Sequence, residues 1–485
     1  MKITDPLTGK SIDWVGCPES PLYTIPLSAC TDDRAVARWT FPWESPDLAE
    51  KLGTDYWVAG KTWQCGGFGL WRFAADLSFT KAYYRRVYVG TSYASNQIGP
   101  IHFGTAIHAS ATEIEYTVTD GAQGAGTVRL VKIAPADTLV TDIGALNFEG
   151  AQINGSNLTQ AYMVKSCITA DGNRVIGGCW KTADTKYHAA VMTSAAFATT
   201  GWTVQPLVYR DGIQNMAVHQ IATEGTGGNT VIVVAFGGGC GDAQLGIAYT
   251  VNNGANWFFL TPGGAVAVPV GGMSHTDFDA ANYWIVADTD STCKSAFRII
   301  VTGTTAWMSV AVSTRTYVHW GFTGNTNHYL YKLDLATPAC TVYGPFFPAH
   351  TGWGAGLDIQ WNGSNIRCVR AIPKIGTNPD ANYSDYPYGG PTLGVYDYTV
   401  AAPTVEPVLA KTIALDGTGS PYEYVDRVWG IYPGHEEGYG DHQVFLGCRW
   451  VRGASGMLAV NVGDQRVSDV NLVFHMSRIK IISGT

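Results

Sequence analysis

The sequence predicts an all-β protein, specifically a β-propeller of four-stranded blades. Only 14% of the 485 residues are charged and 57 are Gly, the balance of strand-and-turn proteins rather than helical bundles. Short β-rich runs alternate with clusters of Gly, Asn, Asp and Thr, as in sandwiches, barrels and propellers. Only 47–52, after Ser45-Pro46, reads as a helical turn. The length exceeds one ordinary sandwich, so an internal repeat is expected.

A degenerate repeat with a period near 50 residues runs through the chain. Three similar strand openings are each followed by a turn and a Trp, and the Trp-to-Trp spacings are 55 and 50. The openings are Arg174–Gly178, Thr230–Val234 and Tyr283–Ala287, and the tryptophans are Trp202, Trp257 and Trp307. A second echo, Gln-x-Asn-Gly-Ser-Asn, begins at Gln152 and again at Gln360. Propeller blades of four strands have periods of about 40 to 50 residues.

The period predicts seven blades, with six or eight as alternatives. The predicted blades are 34–95, 98–150, 156–210, 213–262, 266–313, 315–412 and 423–475. Residues 1–33 then form an N-terminal segment for attachment or propeller closure, and 34–485 form the propeller. The alternative architecture is two or three β-sandwich domains in series, but no Pro/Ser-rich linker or change of composition marks a boundary.

Charge and hydropathy exclude several classes of protein. A net charge of −8 and a pI near 5.7 argue against a nucleic-acid partner, which requires a basic face. No stretch approaches the roughly 20 apolar residues of a membrane helix, so no membrane insertion is expected. The first residues lack the apolar region of a secretory signal peptide. The ten cysteines form no CxxC pair; Cys17/Cys30 and Cys167/Cys179 could bridge strands, although buried reduced thiols are favoured.

One turn carries a family resemblance. The run Thr250-Val251-Asn252-Asn253-Gly254-Ala255-Asn256-Trp257 resembles the Asp box of sialidase-like propellers, Ser/Thr-x-Asp-x-Gly-x-x-Trp, with Asn252 in place of Asp. The resemblance implies a structural hairpin turn in which Asn252 caps the backbone, Gly254 takes a positive φ and Trp257 packs into the blade. Sialidases also carry a Tyr/Phe-Arg-Ile-Pro string. Here Thr24 replaces that arginine in Tyr23–Pro26, which argues against sialidase chemistry.

The densest polar cluster is the Gly-rich stretch 434–442. Glu436, Glu437 and Asp441 are the candidates for paired-carboxylate hydrolysis of a glycan if the protein is an enzyme. A divalent cation is a weaker expectation, with His435, Glu437, Asp441 and His442 as ligands, and no cofactor is expected. The plainer interpretation is a solvated loop.

Aromatic residues mark a second candidate, the stretch 380–390. Tyr383, Asp385, Tyr386 and Tyr388 combine aromatic faces with hydrogen-bonding groups, which suits sugar recognition or a protein contact. Two further stretches are interpreted as structural. Ser274–Asp279 reads as a strand end or turn in which a turn-capping role is favoured over catalysis, and Asp277 and Asp279 would face the same side if the stretch were extended. The stretch 237–242 reads as a hairpin connection without phosphate-loop features.

Low charge with abundant Gly, Thr, Asn and aromatic residues resembles bacteriophage tail and fibre proteins. The resulting hypothesis is a virion structural protein of the tail, neck or fibre, made in the host cytoplasm, which acts by contact. Its expected partners are host surface polysaccharide, neighbouring virion proteins and further copies of the chain. The alternatives are a glycan-degrading propeller, either a depolymerase or a glycoside hydrolase, and a bacterial binding propeller unrelated to phage. Alanine at Glu436 and Glu437 separates an enzyme from a binder.

Overall fold

A computed structural model provides the architecture of the chain. It describes residues 2–4, 11–13, 23–25, 37–41, 45–62, 67–74, 79–85, 107–109, 114–120, 127–134, 136, 144–145, 151–195, 198, 200–212, 216–238, 244–286, 293–313, 326–346, 357–361, 363–373, 389–401, 406–414, 425–433, 443–450, 455–461 and 470–476. Among these residues no helix is long and apolar enough to cross a membrane.

Four short strands precede two four-stranded antiparallel meanders. The short strands are β1 (Lys2–Thr4), β2 (Ser11–Asp13), β3 (Tyr23–Ile25) and β4 (Ala37–Phe41). The first meander contains β5 (Ser45–Leu52), β6 (Asp55–Thr62), β7 (Gly67–Phe73) and β8 (Phe79–Arg85). The second contains β9 (Ile107–Ala109), β10 (Ile114–Asp120), β11 (Thr127–Ile133) and β12 (Gly144–Ala145).

The third and fourth meanders each carry extra short strands. The third has β13 (Gln152–Ile153) as a hairpin arm, followed by β14 (Ser156–Ile168), β15 (Asn173–Thr182), β16 (Lys186–Ala195) and β17 (Thr203–Asp211). The fourth contains β18 (Met216–Glu224), β19 (Val231–Gly238), β20 (Leu245–Thr250), β21 (Phe258–Thr261) and β22 (Gly264–Ala267). After it come β23 (Met273–Ser274), which pairs in parallel with β17, and the short helix α1 (His275–Ala280).

Three further meanders complete the chain. The fifth contains β24 (Cys293–Thr302), β25 (Thr305–Ser313), β26 (Thr326–Asp334) and β27 (Ala339–Phe346). The sixth contains β28 (Asp358–Trp361), β29 (Asn365–Pro373), β30 (Gly389–Thr399) and β31 (Val408–Ala414). The seventh contains β32 (Val425–Pro433), β33 (Gln443–Trp450), β34 (Ser455–Asn461) and β35 (Val470–Met476).

The first strands of the meanders form a closed ring. The first strand of each meander contacts the first strand of the next meander in the order β14, β18, β24, β28, β32, β5 and β9. The second meander then contacts β14 through its strands β10 and β11, which closes the ring. Successive meanders joined through their first strands are the blades of a propeller. The chain is therefore an all-β propeller, and its described residues form seven blades. The strand β4 pairs in parallel with β35 and antiparallel with β3, so early and late parts of the chain share one sheet.

Hydrophobic cores lie between the blades, and the strand β19 shows how the sequence builds them. Its odd-numbered residues Val231, Val233 and Ala235 pack with the fifth blade, and its even-numbered residues Ile232, Val234 and Phe236 pack with the third. Successive side chains of a strand point to opposite faces, so a strand buried on both faces is apolar throughout. This burial explains the uninterrupted run of apolar residues in β19.

Several local predictions are wrong. The stretch 47–52, predicted as a helical turn, belongs to β5, because its pairing with β6 overrides the helical pattern. The predicted blades 266–313 and 315–412 do not match the fifth and sixth meanders, which are 293–346 and 358–414. The long segment between β22 and β24, which contains α1, lies between two blades and shifts the repeat period of the sequence. Tyr283–Ala287 therefore does not open a blade strand; its Val286 forms a single bridge with Leu245.

Candidate ligand site on the innermost strands

The first strands of the blades are the innermost strands of the propeller. Several of them are interrupted by β-bulges at corresponding interior positions. In five first strands one extra residue shifts the register with the second strand: Pro46/Leu48, Tyr162/Lys165, Val218/Gln220, Ala296/Arg298 and Val428/Gly430. Bulges are frequent near functional sites, because they re-aim the side chain that follows. We call Lys165, Gln220 and Arg298 the post-bulge residues; they are the polar members of this set.

The post-bulge residues occupy three successive innermost strands, since β14 contacts β18 and β18 contacts β24. All three are partly exposed, and the Arg298 side chain retains 25% of its accessible surface. Their neighbours Val218 and Ile299 are buried. Partly exposed polar groups on the innermost strands provide hydrogen-bond donors and charge at the ring itself, as a ligand site requires.

The sixth blade continues this polar ring with buried groups. Asp358, with 2% of its side chain exposed, lies 3.9 Å (Oδ1) from Nε of Arg298 and links the innermost strands of the fifth and sixth blades. Gln360, two residues further along β28, is also buried. A buried carboxylate requires a compensating partner, so Arg298 is both a member of the ring and a support for Asp358.

The next strand, β29, carries two buried arginines. Arg367 forms a bidentate ion pair with Asp397, with Nε–Oδ1 and Nη2–Oδ2 distances of 2.8 and 3.0 Å. Arg370 is buried beside Tyr396, and this burial lowers the pKa of its guanidinium to about 10. The Tyr396 ring lies over Gly394, where an added Cβ would be 2.5 Å from Tyr396 Cε2. The sixth blade therefore holds buried charge on its second strand, which pairs with the innermost strand that carries Asp358.

Other described carboxylates serve structural contacts. Glu115 pairs with Arg174 between the second and third blades, and both side chains are buried. The Arg174 guanidinium also donates to Ser194 Oγ and lies 5.1 Å from the Trp202 ring. Asp55 pairs with Arg72 inside the first blade. No group of three His, Cys, Asp or Glu residues within the described ranges is arranged to hold a metal ion.

The Asp-box stretch lies in the turn between β20 and β21. Thr250 Oγ1 donates to Asn252 Oδ1 at 2.8 Å and accepts from Gly254 N at 3.1 Å, while Asn252 Oδ1 accepts from Asn256 N at 3.0 Å. Gly254 has a φ of +83°, which favours Gly, and Trp257 packs in the core between the third and fourth blades. This turn holds backbone in place and has no catalytic group.

The other predicted site residues lie outside the described residues. These are Tyr383, Asp385, Tyr386, Tyr388, His435, Glu436, Glu437, Asp441 and His442. In sequence, 434–442 lies between the first and second strands of the seventh blade, and 374–388 lies between the second and third strands of the sixth blade.

The capping role favoured for Ser274–Asp279 is confirmed, but the cap belongs to a short helix rather than to a strand end or turn. The stretch is not extended: Ser274 caps α1 by accepting from Asp277 N at 3.1 Å. Asp279 instead accepts from Trp284 Nε1 at 3.1 Å. Residues two apart on a helix do not face each other, so these two aspartates form no common site. Of the two cysteine pairs considered, Cys167 and Cys179 are free thiols, whereas Cys17 and Cys30 lie outside the described residues. Residues 239–242 of the stretch 237–242 also lie outside the described residues.

A buried histidine occupies the third blade. His188 is 1% exposed, its Nε2 lies 3.3 Å from Thr182 Oγ1, and its ring lies 5.5 Å from that of Tyr209. Burial lowers the pKa of His188 to about 4, outweighing the opposing attraction of Asp184 and Asp211. The imidazole is thus neutral at pH 7 and packs as part of the blade.

Sequence reasoning missed the post-bulge residues. Arg298 is the single polar residue of Phe297-Arg298-Ile299-Ile300, whereas Lys165 is followed by Ser166 and Gln220 is preceded by His219. That signal was available, but assigning it to a ring requires knowing that β14, β18 and β24 are all first strands. The bulges that align them are visible only in the pairing registers.

No protein-family model matches the chain, and no curated protein matches it significantly. Among solved structures it is similar to Pseudomonas brassicacearum lignostilbene dioxygenase, with 9% identity, a TM-score of 0.43 and coverage of 89% of this chain and 95% of that one. A Hadza microbial sialidase gives 8% identity, a TM-score of 0.37 and coverage of 84% of this chain and 73% of the sialidase chain. The six-bladed propeller lectin of Aleuria aurantia gives 11% identity, a TM-score of 0.33 and coverage of 76% of this chain and 94% of the lectin chain. Likenesses at this level assign no activity or ligand to the chain.

Proposed function

We propose that this protein is a glycan-binding β-propeller that acts by contact, with its ligand held at the ring of innermost strands. The observation that carries the proposal is the set of post-bulge residues, Lys165, Gln220 and Arg298, on three adjacent innermost strands. Lys and Arg are donors only, and an amide both donates and accepts, so together they match the mixed hydrogen-bonding pattern of sugar hydroxyl groups. A propeller supports such a site with a rigid frame.

The contacts of three buried or half-buried carboxylates favour binding over hydrolysis. Glycoside hydrolysis uses two carboxyl groups that face the scissile bond. Here Asp397 is held bidentately by Arg367, Glu115 is buried against Arg174, and Asp358 is next to Arg298. Each of these carboxylates already has a structural role. The enzymatic alternative depends on Glu436, Glu437 and Asp441 and stays a prediction.

The test is a bacterial-glycan array that records both retained protein and released reducing ends. Retention without release supports the proposal, whereas release of reducing ends makes the protein a glycan-degrading enzyme. For a retained glycan, Gln220→Ala and Lys165→Met should each weaken binding by roughly threefold to tenfold, the equivalent of one lost hydrogen bond of about 1 kcal/mol. Lys81→Met is the matched control, because Lys81 lies on the fourth strand of the first blade.

Thermal unfolding of each variant separates loss of binding from loss of fold. Unchanged affinity in both Gln220→Ala and Lys165→Met would exclude the ring as the site. Absence of retention on a broad array would exclude glycan binding. The placement of the protein in a virion rests on composition and stays a prediction, and neighbouring virion proteins stay predicted partners. Contact with sugar by Tyr383, Asp385, Tyr386 and Tyr388 also stays a prediction.

A further inference from the structure

Each post-bulge residue faces the next blade along the ring. Residues directly opposite each other in an antiparallel ladder share one face of the sheet. Lys165 is paired with Gly177, and a Cβ added at Gly177 would lie 2.7 Å from Cδ1 of Ile221 on β18. The face that Lys165 shares with Gly177 is therefore the face that packs against the fourth blade.

The other two post-bulge residues repeat this orientation. Gln220 is paired with Ala235, which packs in the core shared with the fifth blade. Arg298 is paired with Ser309, and its Nε lies 3.9 Å from Oδ1 of Asp358 on the sixth blade. One polar side chain of the same orientation thus recurs on each of three successive innermost strands. A polymeric ligand that runs along the ring meets these side chains one after another.

The charge of these three strands is opposite in sign to that of the whole chain. The sequence has 39 acidic and 31 basic residues, but β14, β18 and β24 together contain a single acidic residue, Glu224. Glu224 is the last residue of β18, and its Oε2 accepts from Gly303 N at 2.6 Å, so it is held by the turn between β24 and β25. Lys165 and Arg298 provide positive charge at the ring, and the sign of a local charge selects the sign of the ligand.

The contact between Arg298 and Asp358 preserves this preference. The Asp358 side chain is 2% exposed, whereas that of Arg298 retains 25% of its accessible surface. A ligand on the ring therefore meets the guanidinium and not the carboxylate. A guanidinium binds a carboxylate through parallel N–H donors, and an ammonium binds it as a compact charge.

We propose that the ligand is a linear polysaccharide that contains uronic acids and lies along the innermost strands of the third to fifth blades. Its carboxylates pair with Lys165 and Arg298, and Gln220 between them forms hydrogen bonds with sugar hydroxyl groups. Two such pairs on one polymer strengthen each other through effective concentration. This inference rests on the proposed glycan function and narrows it to acidic polysaccharides.

Isothermal titration calorimetry with fragments of polygalacturonate, alginate and hyaluronate, each beside its methyl-esterified form, tests the inference. Within a pair the two ligands differ only at the carboxyl group, which the ester leaves uncharged. At least one acid should bind about tenfold more tightly than its ester at low salt. Added NaCl should weaken binding of the acid and leave that of the ester nearly unchanged.

Variants of the full chain locate the charge preference. Lys165→Met should weaken binding of the acid about tenfold and that of its ester by no more than about threefold. Gln220→Ala should weaken both ligands alike, because both carry the hydroxyl groups that the amide contacts. Lys81→Met removes the same charge from the fourth strand of the first blade, so it is the control for the net charge of the protein. Thermal unfolding shows that each variant is folded.

The outcomes separate this inference from the proposed function. Equal affinity for acid and ester in every pair, or binding of none of them, would overturn the inference, while retention of neutral glycans on the array would leave the proposed function standing. A preference for the acid that Lys165→Met and Lys81→Met reduce equally would also overturn it, because the preference would then reflect overall charge. Retention of no glycan at all would remove the proposed function together with this inference.

Discussion

Acidification between pH 6.5 and 4 should destabilise the protein through His188. The ordinary His pKa is 6.5, and burial lowers that of His188 to about 4. In this range the unfolded chain binds a proton that the folded state does not, so the free energy of unfolding falls as pH falls. One pKa unit corresponds to about 1.4 kcal/mol, and the full shift therefore gives a loss of roughly 3 kcal/mol at pH 4.

Urea unfolding at pH 7, 6 and 5 measures this effect, with His188→Gln as the test variant. From pH 6.5 to 5 the His188 contribution is about 2 kcal/mol, and His188→Gln should lose that part of the pH dependence. Thr182→Val is the matched control: it removes the hydroxyl beside Nε2 but leaves the ring buried, so the dependence should persist. The pKa of Asp184 is lowered from 3.8, chiefly by its hydrogen bond with Thr182, so its titration lies below the range tested. Identical pH dependence in wild type and His188→Gln would refute the reasoning.

Three other predictions concern structural contacts. Arg174→Met should cost about 3 to 5 kcal/mol in urea unfolding, because it removes the cation that is paired with the buried carboxylate of Glu115; adding Glu115→Gln should recover part of that loss, and no recovery would contradict the buried pair. Asn252→Ala should lower the free energy of unfolding by about 1 kcal/mol, since Asn256 N loses its acceptor, whereas Asn252→Asp should be tolerated. Cys179 should resist a disulfide reagent at pH 8 until the chain is unfolded, because burial raises the pKa of its thiol to about 12; rapid labelling of the folded protein at this residue, located by mass spectrometry, would contradict this.

The fold was predictable because a propeller repeats its pattern. The apolar runs at β15 and β19 are both second strands of their blades. Trp202 and Trp257 both lie immediately before the fourth strand. Trp307 does not, because it lies inside β25, a second strand. The spacing of 50 that suggested equivalence arose from the extra segment between β22 and β24.

The candidate site was less accessible to sequence reasoning. A pattern of residue types identifies a turn when the contacts are local, as in the stretch 250–257, where the side-chain hydrogen bonds join residues within four positions. The post-bulge residues come from three blades, and their proximity depends on strand order and register. Arg298 and Asp358 are 60 positions apart in sequence, and nothing local marks them as partners.

The pairing of β4 with β35 has a consequence for how the protein is made. The ribosome delivers β4 early, but its parallel partner appears only after nearly all seven blades have been synthesised. Such a non-local pairing is slow to form, because the loop it closes spans almost the entire chain. Until then the seventh sheet presents unfinished edges, so release of the last strand sets the earliest moment at which the ring can close.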